Sequence, residues 1–139
     1  SAARASAIIV TTTSATRAVL DVDDVGPGAF VAAVGADSEH KQEIATGLLR
    51  ASGIVVHDLE QCATIGDLHH AIESGALSRN DVRATLGEVI AGTKRGREHE
   101  NEIVVFDSTG VAIQDVAAAA VAYERAMAEG GGREVQLAG

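Results

Sequence analysis

Aromatic side chains are nearly missing from this chain: two Phe, one Tyr and no Trp in 139 residues. A core must therefore come from small aliphatic side chains, which suits close packing of helices on a sheet. A single cysteine, Cys62, excludes an intramolecular disulfide framework and fits a reducing, cytoplasmic location. Set in Gln-Cys-Ala-Thr, it reads as a small packed or half-exposed side chain rather than a nucleophile. Basic residues are also scarce, 11 against 20 acidic, for a net charge of −9. That excludes the clustered basic face a nucleic acid needs, and the one basic knot, Lys94, Arg95 and Arg97, falls in an expected loop. No apolar run approaches the roughly 20 residues of a membrane span, so no membrane partner is expected.

What is present alternates. Ala7 to Thr12 is a β-branched run that reads as a strand buried on both faces, followed by a hydroxyl-rich turn over Thr13 to Thr16. Val25-Gly26-Pro27-Gly28 is a turn, Phe30 to Val34 a second strand, and Lys41 to Ala51 a helix with Ile44, Leu48 and Leu49 on one face. Ile54 to Val56 is a third strand and Ile65 to Ile72 a short helix. Ser78 to Asp81 resembles a capping arrangement and is expected to open a helix carrying Val82, Leu86, Val89 and Ile90. Glu98 to Asn101 is polar loop, Ile103 to Phe106 a fourth strand, Val111 to about Ala128 a long alanine-rich helix, and Glu134 to Leu137 a last short strand. Strand and helix in this alternation predict an α/β domain with a doubly wound parallel sheet.

Open sheets of that kind hold ligands beyond the carboxyl ends of their strands. The second strand delivers Asp37 there through a small-residue turn, with Lys41 four residues on. A carboxylate so placed either does chemistry or caps the helix that follows. Ser108 and Thr109 stand at the equivalent place after the fourth strand, with a helix cap as their alternative role. Thr11, Thr12 and Thr13 end the first strand and offer hydroxyls to a ligand, although threonine also simply favours strands. The Gly-x-Gly-x-x-Gly turn that cradles a dinucleotide pyrophosphate is not in the sequence, and Gly130-Gly131-Gly132 reads as a helix terminator instead. His69 and His70, adjacent on a helix, are expected to point apart; with no zinc-type i, i+4 pair, no metal is expected.

Four segments in unbroken order carry a resemblance: Ile8 to Thr13; Ala33-Val34-Gly35-Ala36-Asp37 with Lys41 and Glu43; Leu86-Gly87-Glu88-Val89; and Phe106-Asp107-Ser108-Thr109-Gly110 through Gln114-Asp115. The chain resembles the ornithine cyclodeaminase and mu-crystallin family, which includes archaeal-type alanine dehydrogenases and ketimine reductases. The resemblance implies a homodimeric enzyme with a substrate and dimerisation domain beside a Rossmann domain that binds NAD or NADP. Residues 1–110 then correspond to the second half of a Rossmann-type doubly wound parallel sheet, without the glycine-rich loop. Residues 111–139 correspond to a C-terminal helix and strand returning toward the other domain.

By that resemblance Asp37 is catalytic and, with Thr109, substrate-binding, while Thr13, Phe30, Val31, Ala32, Ala33, Lys41 and Ser108 bind the cofactor. The implied reaction is hydride transfer at the α-carbon of a small amino or imino acid, through an imine. Three outcomes stand side by side: a dehydrogenase, toward which Thr109 leans; a ketimine reductase; and an ornithine cyclodeaminase forming proline with loss of ammonia. A fourth is a truncated, non-catalytic fragment that only folds or dimerises, because the pyrophosphate loop lies upstream in the family.

Overall fold

The computed structural model describes residues 2–133, 135 and 136. Along the chain run β1 (Ile8–Thr11), β2 (Thr16–Leu20), β3 (Phe30–Ala33), β4 (Gln42–Ile44), α1 (Thr46–Arg50), β5 (Gly53–Val56), α2 (Leu59–Ile65), α3 (Asp67–Glu73), β6 (Val82–Thr85), α4 (Leu86–Ile90), β7 (Val104–Asp107) and α5 (Ala112–Ala128). Five strands form one sheet in the order β1-β3-β7-β5-β6, every neighbouring pair parallel. The expected α/β class with a parallel sheet and a long C-terminal helix is what the chain adopts. A separate parallel pair joins β2 to β4.

The sheet's two faces differ because side chains alternate along a strand. Val31 and Ala33 of β3, Val105 of β7, and Ile54 and Val56 of β5 belong to one core with Leu48 and Leu49 of α1, Cys62 of α2, and Leu68 and Ala71 of α3. Full burial of a Val, Leu or Ile side chain stabilises by about 1.5–3 kcal/mol, so this helix-covered core dominates the favourable side. The expectation that the first strand is buried on both faces is not met. Ile8 and Val10 are 69% and 60% exposed. They align with Phe30 and Ala32, and Phe30, Ala32, Val55, Leu86, Val89 and Phe106 line an apolar groove of about 550 Å³.

Two expected helices resolve differently. Over 41–51 the chain first forms β4, because the Asp67 carboxylate takes the Glu43 and Ile44 N–H groups at 2.7 and 2.8 Å and β2 pairs with the same segment; only Thr46–Arg50 is helical. The Ser78–Asp81 cap is real, with the Asp81 carboxylate accepting from Ser78 N and Oγ, but it opens a single 3-10 turn. Val82 to Thr85 then join the sheet as β6, and a Thr85–Glu88 capping box starts α4. The short helix expected over 65–72 is present as α3, starting two residues later at Asp67, while α2 before it, ended at Gly66 whose backbone is extended, was not expected. β2 was not foreseen at all. The final strand expected over 134–137 falls on Glu134 and Leu137, which lie outside the described residues, and on Val135 and Gln136, which belong to no regular element.

Gly66 is where helix and strand meet most closely. A Cβ there lies 2.6 and 2.8 Å from the carboxylate oxygens of buried Asp107. Gly66→Ala is therefore expected to destabilise by about 1–3 kcal/mol, read as a lower urea midpoint at unchanged slope.

Residues up to Thr109 form one compact unit and those from Gly110 onward a second. In the second unit α5 buries none of its residues, leaving Ile113, Val116, Tyr123 and Met127 more than 60% exposed. Gly130, at φ 65°, follows its end as a left-handed stop.

Candidate active site

Thr11, Ala33, Asp107, Val56 and Thr85 fall in one register row across the five strands and mark the carboxyl edge of the sheet. Chain segments leaving neighbouring strands are tied to one another here. Val34 N–H donates to Thr11 O at 3.0 Å, Ser108 N–H to Ala33 O at 2.9 Å, and His57 N–H to Asp107 O at 3.2 Å. Beyond this row lie most of the residues singled out in the sequence: Thr13 after β1, Asp37 with Lys41 after β3, and Ser108 and Thr109 after β7. Phe30, Val31 and Ala32 do not reach it. Phe30 opens β3, about 10 Å along the strand from Ala33, and Val31 is fully buried in the core.

Asp37 is open to solvent, its side chain 57% exposed, and its Oδ1 accepts from Lys41 Nζ at 2.6 Å. The Lys41 ammonium holds this carboxyl below its ordinary range, so it is ionised at neutral pH. Asp37 caps no helix: residues 38–41 form a turn closed by Lys41 N–H to Ser38 O, and β4 follows. Lys41 likewise is not on a helix. Its carbonyl accepts from His70 Nε2 at 2.8 Å; a carbonyl only accepts, so that nitrogen carries a proton.

Behind this outer pair stand three buried carboxylates. Glu43 is fully buried and accepts from Thr11 Oγ1 at 2.7 Å, from Gly35 N–H at 2.8 Å and from Thr13 N–H. Burial pushes its pKa up, but these donors outweigh that and leave it lowered. Asp67 binds the β4 backbone, yet burial raises it to about 6. Asp107 accepts from Leu68 N–H at 2.9 Å at the start of α3, and burial, with Asp67 and Glu43 nearby, raises it to about 7. Asp67 Oδ2, Asp107 Oδ1 and Thr109 Oγ1 are buried with no hydrogen-bond partner among the described residues. Cys62 is packed, as expected: its thiol donates to Asp107 O at 3.3 Å, and burial pushes it to about 12.

Thr11 is thus committed to Glu43, while Thr13 accepts from Ala15 N–H at 3.2 Å through its hydroxyl. His69 and His70 do not splay apart as expected; their ring centroids are 5.3 Å apart, because His70 turns toward the Lys41 carbonyl and His69 toward Glu73 at 3.7 Å. With Glu73 they bring three ligand atoms within 4.8 Å of one another. A tetrahedral zinc site with bonds of about 2 Å needs ligands roughly 3.3 Å apart, so this group is looser than a formed site. Two members of the basic knot are tied down locally, Lys94 to Glu88 at 3.0 Å and Arg97 to the Glu102 carbonyl.

Sequence reasoning did not assign Glu43, Asp67 or Asp107 a place in the site. The available signal was an acid closing an apolar run at Asp107 and a second acid six residues after Asp37.

The chain is 45% identical over 130 residues to the alanine dehydrogenase of Archaeoglobus fulgidus, matching 94% of this chain and 40% of that protein. It superposes on an archaeal alanine dehydrogenase dimer with bound NAD at a TM-score of 0.85 and 44% identity, covering 95% of this chain and 41% of that one. On the Δ1-pyrroline-2-carboxylate reductase of Thermococcus litoralis, solved with NADH and L-proline, the TM-score is 0.89 at 31% identity, covering 96% and 42%. The chain spans about 40% of the length of these relatives. The model of the ornithine cyclodeaminase/mu-crystallin family matches residues 1–130, and the chain belongs to that family.

Proposed function

We propose that this chain is the C-terminal part of the cofactor domain of an NAD(P)-dependent enzyme that works at the α-carbon of a small amino or imino acid through an imine. A homodimer in the cytoplasm is part of the same proposal. The observation that carries it is the placement of Asp37 and of Ser108 and Thr109 beyond two adjoining strands, tied together by the Ser108 N–H to Ala33 O bond.

The residues at the edge suit a dinucleotide's nicotinamide end. Small buried side chains at Ala33 and Ala36 and the absence of one at Gly35 let the turn lie close on the sheet edge, and the buried Thr109 hydroxyl has an unused hydrogen bond. Thr13, Lys41 and Ser108 are the polar groups placed to hold it. When bound, the nicotinamide supplies the hydride acceptor or donor. Asp37, ionised beside Lys41, holds the substrate nitrogen and takes up the proton released by that nitrogen or by an attacking water. Lys41 fixes the direction of the Asp37 carboxylate, and Thr109, at the same sheet edge, is assigned to the substrate side.

The full-length protein is expected to oxidise NADH or NADPH in the presence of a cyclic imino acid, or of a 2-keto acid with ammonium. Conversion of L-ornithine to proline with release of ammonia assigns the cyclodeaminase branch instead. Absence of turnover with all of these overturns the proposal and leaves a non-catalytic domain.

A further inference from the structure

We propose that Glu43 is a positioning residue for this site: one buried carboxylate that fixes the Thr13 loop and the Asp37 turn relative to each other. The inference rests on the reading of Asp37 and Thr13 given above and extends it to a residue that touches neither substrate nor cofactor. Its Oε2 accepts both from Thr11 Oγ1, at the end of β1, and from Gly35 N–H, in the turn leading to Asp37; its Oε1 accepts from Thr13 N–H. Two loops leaving neighbouring strands thus share one anion.

The anion itself cannot drift. Asp67 holds the N–H groups of Glu43 and Ile44, and the Gln42 N–H donates to Ala15 O on the opposite side. Gly35 is part of the fit, because a Cβ there lies 2.4 Å from Glu43 Oε1 and 2.6 Å from Thr13 O. A fully buried carboxylate is a costly way to stabilise a fold, since apolar groups of the same volume often do as well or better. Its return here is geometry, with three donors converging from two loops on one rigid group.

Glu43→Gln separates the two ends. If the amide oxygen takes the Oε2 place, Thr11 and Gly35 stay bonded and the Thr13 N–H faces an NH2 group. If it takes the Oε1 place, Thr13 stays bonded and the Gly35 N–H is the one opposed. In the full-length enzyme the variant is expected to lose 10- to 100-fold in kcat/KM, the scale of a 1 Å misplacement. The loss appears as a raised KM for the dinucleotide if the Thr13 end is freed, or as a lowered kcat if the Gly35 end is freed. Amide exchange shows which, through at least tenfold lower protection of Thr13 or of Gly35. Gly35→Ala pushes the carboxylate off both loops and should move both constants. A folded Glu43→Gln enzyme with unchanged kcat and KM overturns the inference, since a merely structural role predicts just that. If Glu43→Gln does not fold, Thr11→Val removes one donor alone and is expected to cost three- to tenfold; no change there also overturns it. Asp37→Ala measured alongside keeps the two ideas apart. An active Asp37→Ala enzyme refutes the catalytic reading, whereas an inactive one beside a fully active Glu43→Gln refutes only the positioning role.

Discussion

Asp37→Ala in the full-length enzyme is expected to lower kcat by about 10²- to 10⁴-fold, the usual worth of a positioned acid or base, while binding of the dinucleotide persists. The expectation follows from where the side chain sits. It is exposed beyond the carboxyl edge, braced by Lys41 at 2.6 Å, and it caps no helix, so its removal leaves no backbone group unsatisfied. A loss of turnover with unchanged thermal stability is therefore the signature, and unchanged turnover sinks the assignment. Lys41 supplies a second readout of the same pair. Because its hydrogen bond and charge hold the Asp37 pKa down, Lys41→Met should raise that pKa and shift the acid limb of the kcat/KM profile to higher pH. An unmoved acid limb means that Asp37 is not the group it reports.

The elements that could be read from the sequence are those with a local cause. β3 and β7 are short apolar runs ended by an acid or a small-residue turn, and α5 is a long alanine-rich stretch stopped by glycines; each needs only its own residues to be recognised. The failures have distant causes. Residues 41–51 carry a helical spacing of apolar side chains at Ile44, Leu48 and Leu49, but a carboxylate 23 residues away, Asp67, captures the Ile44 N–H, and β2 offers residues 42–44 a parallel partner. Val82 to Thr85 follow a true cap, yet β5 takes them into the sheet. The site divides in the same way. Asp37, Lys41, Ser108 and Thr109 stand beside turn signals at strand ends and are visible in one dimension. Glu43, Asp67 and Asp107 act through burial and through backbone groups up to 39 residues distant, which no local pattern encodes. Phe30 to Ala32 enter the cofactor set through the family resemblance alone, since their positions within β3 carry no turn signal of their own.

Those buried acids also set the pH dependence of folding. Asp67 and Asp107 have their folded pKa values raised from 3.8 to about 6 and about 7. Between roughly pH 4 and 7 the folded chain therefore binds more protons than the unfolded one, and stability falls as pH rises through that window. The stabilisation is fully present below pH 4 and lost above 7. A different group acts on the acid side. The Arg83 guanidinium holds Glu102 down at about 2, so the stability it contributes is lost as pH falls from 4.5 toward 2. The two windows meet near pH 4 to 5, where urea unfolding of the 139-residue chain should be hardest, with a lower midpoint at pH 8. Asp107→Asn keeps an oxygen for the Leu68 N–H but carries no charge at any pH, so it should flatten the decline between pH 5 and 8 and make the variant more stable than the parent at pH 8. A parent chain that is equally stable at pH 5 and pH 8, or an Asp107→Asn chain with the same slope as the parent, would show that these acids are not buried against one another as described.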